Sequence, residues 1–150
     1  MASFELTRRA HIDAPPARVH ELVDDFHSWT QWSPWEDVDP DLRRTFSGAE
    51  SGVGARYAWA GNRKAGEGSM EILRSDATQI DVDLRFLKPF KAHNLIAFSF
   101  TPAGAGTDVA WTMSGDRNPV MGLLGRLYFD KAVGRDFEKG LARLKRAAEG

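Results

Sequence analysis

Four histidines and no cysteine bound the chemistry that these 150 residues could perform. Without cysteine, disulfides, thiolate metal sites and cysteine nucleophiles are excluded. His20 and His27 stand seven residues apart, about two helical turns, with Asp24 between them. Metal centres normally use tighter spacing and more ligands, so no metal and no cofactor are expected. His11 and His93 fall on the wet parity of extended segments. No serine occupies a G-x-S-x-G elbow. The glycines of "SGVGARYAWAG" (51–61) suit a hairpin better than a phosphate cradle. Three polar side chains remain that could donate or accept a proton in an apolar setting: Tyr57, Tyr128 and Asn94. Arg56 and Arg85 belong to the wet parity.

The elements that would position these groups follow from hydrophobic spacing. In "SFELTRRAHID" (3–13), Phe4, Leu6, Arg8, Ala10 and Ile12 share one parity, and all but Arg8 are apolar or small. "DAPPARVHELVDDF" (13–26) predicts a helix: Asp13 can cap it, prolines stand where the first turn needs no amide donor, and Val19, Leu22, Val23 and Phe26 form one face. "HSWTQWSPWEDVDPD" (27–41) then places Trp29, Trp32 and Trp35 within seven residues. A second short helix is expected there, broken before Pro34. Trp29 and Trp32, three apart, read as packing anchors, Trp35 as a wall at the mouth of a pocket, and the acids behind it as a solvated rim.

From residue 42 the period becomes two. Strands are predicted at 42–48, 53–61, 67–75, 78–86, 93–102 and 107–115, joined by polar or glycine-rich turns. Their dry faces carry Val53, Ala55, Tyr57 and Trp59; Met70 and Ile72; Ile80, Val82, Leu84 and Phe86; Asn94, Ile96, Phe98 and Phe100; and Val109, Trp111 and Met113. The rest predicts one long helix, capped by Asn118 with Pro119 at its first position. Its apolar stripe includes Leu123, Leu127, Phe137, Leu141 and Leu144, widened in the first half by Met121, Leu124 and Tyr128. Gly122, Gly125, Gly134 and Gly140 lie inside it, each costing about 1 kcal/mol relative to Ala. They imply close approach to something, or a helix that gives way.

The order is strand, two short helices, six strands, long helix. It implies an α+β domain spanning 1–150, a curved antiparallel sheet of about seven strands wrapped around the C-terminal helix. Such a sheet rarely closes without leaving space beneath the helix. The ligand-binding candidates are therefore Trp35, Tyr57, Trp59, Met70 and Ile72, with Val82, Leu84 and Phe86 from the next strand. Asn94, Ile96, Phe98, Trp111 and Met113 continue the face, and Met121, Leu124 and Tyr128 cover it. The same residues would serve a filled core equally well.

"IDAPPARVHELVDDFHSWTQWSPWE" (12–36), "SGAESGVGARYAWAGN" (47–62), "GEGSMEI" (66–72) and "DFEKGLARLK" (136–145) give the chain its resemblance to the START-like (SRPBCC, Bet v 1-like) superfamily, in the polyketide cyclase/dehydrase and lipid transport branch. The resemblance covers nearly the whole chain. It implies the helix-grip fold and a cavity for a small hydrophobic ligand: a lipid, a polyketide or an aromatic metabolite. Some relatives act as aromatases or cyclases, and for that chemistry Tyr57, Tyr128 and Asn94 are the candidates. A third reading, an interaction module such as a stress-response or toxin–antitoxin partner, stays open if the core is filled. A gate is expected where the start of the last helix meets the loop at 87–92.

Net charge is −1, which gives no general attraction to nucleic acid. Acids crowd 21–50 and bases crowd the C-terminal helix. No segment resembles a signal peptide or a membrane span. The expectation is a cytoplasmic protein, monomeric or weakly dimeric, without stable membrane insertion, whose basic face leaves transient membrane contact open.

Overall fold

The computed structural model describes residues 3–36, 38–63, 65–88, 91–116 and 125–150. The chain begins with strand β1 (Ser3–Ile12), helix α1 (Pro16–Asp24) and one 3-10 turn at Ser28–Gln31. Six strands follow: β2 (Arg43–Gly48), β3 (Ala55–Ala60), β4 (Glu67–Ser75), β5 (Gln79–Lys88), β6 (Ala92–Ala103) and β7 (Gly106–Asp116). Helix α2 (Gly125–Glu149) closes the chain. All seven strands form one antiparallel sheet in the order β1-β7-β6-β5-β4-β3-β2. This is the expected helix-grip α+β arrangement. The expected helix start at Asn118 and Pro119, and most of the expected gate, lie outside the described residues.

Alternation builds the sheet's two faces. In β5, Ile80 and Val82 are fully buried and Leu84 nearly so, while Asp81, Asp83 and Arg85 point to the wet side. His11 and His93 lie exposed on that side, paired with Asp108 and Asp83. Val53 departs from expectation: it belongs to the turn before β3 and is 60% exposed. Asp13 does not cap α1 either. Pro15 occupies the N-cap without a side-chain bond, because Asp13 is turned towards His11 and Lys145 and its amide donates to Glu149 Oε2 at 2.8 Å.

The tryptophan cluster anchors one end of the inner face. Trp29 and Trp32 are buried. Their indole N–H groups donate to Val23 O (2.8 Å) and Leu22 O (2.9 Å). A helix leaves its last four carbonyls without partners; here two are satisfied by side chains that also fill the core. Trp32 then meets Phe98 and Trp111 edge-on, and Phe137 of α2 stacks flat on Trp111 with centroids 4.1 Å apart.

Of the helix glycines, Gly134 and Gly140 mark close approach, whereas Gly122 lies outside the described residues. A Cβ at Gly140 would lie 2.8 Å from Trp111 Cζ3 and 2.9 Å from Pro34 Cδ. One at Gly134 would meet the guanidinium of Arg8, its Cζ at 3.0 Å. Arg8 is the polar member of the inner parity of β1, and it survives there by pairing with Glu138 across α2 at 3.2 Å. The two sites predict opposite results. Gly134→Ala is expected to be neutral or stabilising by up to about 1 kcal/mol, because helix propensity is gained and Arg8 can swing aside. Gly140→Ala is expected to destabilise by about 1–2 kcal/mol, because an indole and a proline ring cannot. Urea unfolding of both variants measures the difference.

Candidate functional site

Register divides the inner face into two ends. At one end Ile80, Phe98 and Trp111 sit side by side on β5, β6 and β7. They are fully buried beneath the tryptophan cluster and the second half of α2. One step along, Ile72, Val82, Ile96 and Met113 form the next row and are buried as well. At the other end Tyr57 faces Met70, Met70 faces Leu84, and Leu84 faces Asn94. Beyond that row, Trp59 lies over Gly68, which faces Phe86. Here Trp59, Met70 and Phe86 are only partly buried.

Two glycines shape this end. A Cβ at Gly68 would lie 2.6 Å from Trp59 Cη2, so the indole crosses β4 only because residue 68 has no side chain. The ring is held there by Trp59 Nε1 donating to Ala65 O at 2.9 Å, and it meets Phe86 edge-on at 5.8 Å. Asn94, 5% exposed, lies with its side-chain oxygen over Gly115, where a Cβ would collide with it. An amide so placed among Leu84, Ile96 and Met113 is a polar marker on an apolar wall.

Tyr57 brings in two residues that periodicity missed. Its hydroxyl donates to Glu36 Oε1 at 3.3 Å, and Arg44 Nε donates to Glu36 Oε2 at 2.6 Å. Arg44 Nη2 adds a bond to Glu36 O at 3.1 Å. Glu36 is therefore not part of a solvated rim: its side chain is 13% exposed and paired. Asp39 is likewise buried, accepting from the amides of Asp41 and Asn62. Arg44 lies opposite Trp59 on the edge strand β2, where mixed polarity hid it.

Burial, with Glu36 beside it, raises the Tyr57 hydroxyl well above the ordinary tyrosine value. Tyr57 is therefore a hydrogen-bond donor that stays protonated. The sign follows: the stability linked to this group is complete below pH about 10 and is lost as pH rises from there through the folded-state value. The chain has two tyrosines, so phenolate absorbance can resolve them. Glu36→Gln is expected to shift the late-titrating tyrosine downwards, and an unchanged titration would exclude the Glu36 contribution.

The remaining candidates are distributed as follows. Trp35 is half-buried against α2, its Nε1 donating to Asp136 Oδ2 at 3.2 Å and its ring edge-on to Trp111 and Phe137. Ile72, Val82, Ile96, Phe98 and Trp111 belong to the packed core. Met121 and Leu124 lie outside the described residues, and Tyr128 is described only as part of the α2 backbone. His20 and His27 go to separate partners: His20 Nε2 to Ser75 Oγ at 3.2 Å, His27 to Asp25 at 2.8 Å. Four indole N–H groups are bonded, whereas Trp111 Nε1 is buried without a partner among the described residues. No described helix is long and apolar enough to cross a membrane.

Solved structures share this architecture. The chain is similar to protein MLL2253 from Mesorhizobium loti (17% identity, TM-score 0.71, 97% of each chain covered). It is also similar to the di-domain ARO/CYC BexL from the BE-7585A biosynthetic pathway (17% identity, TM-score 0.72), covering 99% of this chain and 50% of that one. A third is TTHA0849 from Thermus thermophilus (19% identity, TM-score 0.66, 97% of each covered). At such identities the likeness is one of fold. No curated protein matches the sequence significantly. The family profile described as polyketide cyclase / dehydrase and lipid transport matches residues 2–149, and the chain belongs to that family.

Proposed function

We propose that this protein binds a small hydrophobic ligand, a lipid, polyketide or aromatic metabolite, between the sheet and the first half of α2. It would act as a carrier or sensor in the cytoplasm. The observation that carries this reading is the uneven burial of one sheet face. Trp59, Met70 and Phe86 keep exposed apolar surface beside Tyr57 and Asn94, while the same face two rows away is sealed. Fully burying one such side chain is worth about 1.5–3 kcal/mol. A ligand covering all three would gain several kcal/mol, set against the cost of association. Tyr57 and Asn94 would orient it.

Native mass spectrometry of the freshly purified protein, followed by denaturing extraction, tests this. A stoichiometric apolar adduct is the expected result. An adduct-free mass, with no thermal shift from fatty acids, sterols or aromatic polyketides, would count against it and favour an interaction module.

A second reading, cyclase or dehydratase activity, is favoured by the Tyr57–Glu36 hydrogen bond. The Tyr57 phenol could pass its proton to a ligand oxygen while the Glu36 carboxylate takes one from the adjacent ligand carbon, so that no net proton is gained or lost. Turnover of a polyketone that is lost in Tyr57→Phe would support it, and turnover retained in that variant would remove Tyr57 from the chemistry.

A further inference from the structure

The outer face of the sheet turns away from α2 and belongs to neither end of the inner face. Register sets its side chains in rows across β5, β6, β7 and β1. One row reads Gln79, Ser99, Ala110 and Arg9; the next reads Asp81, Ala97, Thr112 and Thr7; a third reads Asp83, Leu95, Ser114 and Glu5. We infer that a second copy of this chain docks on this face, the two sheets meeting back to back across a two-fold axis that runs between β6 and β7.

Charge is the first ground. Within one copy β1 and β5 stand three strand spacings apart, about 14 Å, so Arg9 and Asp81 cannot meet. Arg9 is exposed and has no partner among the described residues. Asp81 accepts from Gln79 Nε2 at 2.6 Å and pairs with no cation among the described residues. The two-fold operation places β1 of each copy over β5 of the other. Arg9 then lies one row, about 7 Å, from Asp81 of the other copy, a span its side chain covers. Glu5 falls over Asp83 of the other copy, whose carboxylate is already held by His93 and by Arg85 at 2.8 Å, so Glu5 meets that guanidinium. Charges stranded at opposite margins of one sheet thus complement each other in a pair, and each contact occurs twice.

Shape is the second ground. The sheet curves around α2, so its outer face is convex, and two convex faces touch first along their middle strands. There the side chains are short: Ala97 and Ser99 on β6, Ala110 and Thr112 on β7. The long side chains stand on β5 and β1, where they bridge a widening gap. Leu95, 50% exposed on β6, would lie over Ser114 of the other copy. Four strands by three rows give a footprint of about 20 Å by 20 Å. That is the low end of interface sizes, so the expected species is a weak dimer in exchange with the monomer.

The test is sedimentation equilibrium of the full chain from about 1 μM to about 1 mM, the range of weak self-association. The wild type should pass from the 16.7 kDa monomer to twice that mass. Arg9→Asp and Asp81→Arg should each weaken association by about tenfold or more. The double variant, Arg9→Asp with Asp81→Arg, should restore it. Ala110→Arg, which adds a charge beside the axis on an outward-facing position, should leave a monomer with the circular dichroism of the wild type. A monomer at every concentration would overturn the inference. Dimerisation unchanged by either charge reversal, or not restored in the double variant, would overturn it too, by moving the contact to another face. The two reversals lie on the outer face, so the test holds even if Ala110→Arg does not fold, and its outcome is separate from that of the inner-face reading.

Discussion

Trp32→Ala is expected to remove about 4 kcal/mol of folding free energy, the largest stability loss of any single truncation proposed for this chain. Trp32 is fully buried and touches Trp29, Phe98 and Trp111. Aromatic-to-alanine changes in cores cost about 3–5 kcal/mol. The change also strips Leu22 O of its donor at the end of α1, and an unsatisfied buried acceptor costs about 1–3 kcal/mol if the cavity stays dry. Against a total of about 5–15 kcal/mol for ordinary domains, this brings the fold close to its threshold. Thermal and urea unfolding would measure it. A milder pair isolates the hydrogen-bond part. Trp32→Phe loses a made bond, whereas Trp111→Phe removes an N–H that has no partner among the described residues. The Trp111 variant should retain about 1–3 kcal/mol more stability. Equal losses would mean that the Trp111 N–H is satisfied by water in solution.

Phe86→Ala should do the reverse at the other end of the same sheet. Its ring is partly exposed and packs against Trp59, so the stability cost should be about 1 kcal/mol. If the inner-face reading is right, the affinity for a neutral apolar ligand should fall by about tenfold or more, the loss of about 1.5–3 kcal/mol of burial. Calorimetric titration of wild type and variant with whichever ligand is extracted provides the comparison. The two substitutions together form a dissociation: Trp32 moves stability, Phe86 moves affinity. A Phe86 variant with full affinity would shift the ligand away from the Trp59 end.

The strands were legible because one face of the sheet is wet. Ile80, Val82 and Leu84 alternate with Asp81, Asp83 and Arg85, and solvent enforces that alternation. The anchoring by Trp29 and Trp32 was legible from their spacing. Their donation to the last turn of α1 was not, since a sequence does not say which carbonyls lack partners. Parity assigns a residue to a face but not to a neighbour, so the partner of β1 stayed hidden, and Arg8 read as an exception until Glu138 and Gly134 met it. Glu36 was missed for a related reason. Its neighbours Arg44 and Tyr57 come from other strands, and an acid in a loop carries no period to betray its burial. Asp13 illustrates competition: a good capping residue was claimed by His11 and Lys145.

The pairing of β1 with β7 also governs the order in which the chain can mature. Thr7 and Thr112 bond across the two strands although 105 positions separate them along the chain. Loop closure over such a span is entropically costly and slow. Of these seven strands, β1 leaves a ribosome before the others and waits longest for its partner. At synthesis rates of about 5–20 residues per second, it waits on the order of 5–20 s with unpaired edges. Through that interval Arg8 and Arg9, in the middle of β1, put charge on a strand whose edges would otherwise invite a neighbouring nascent chain.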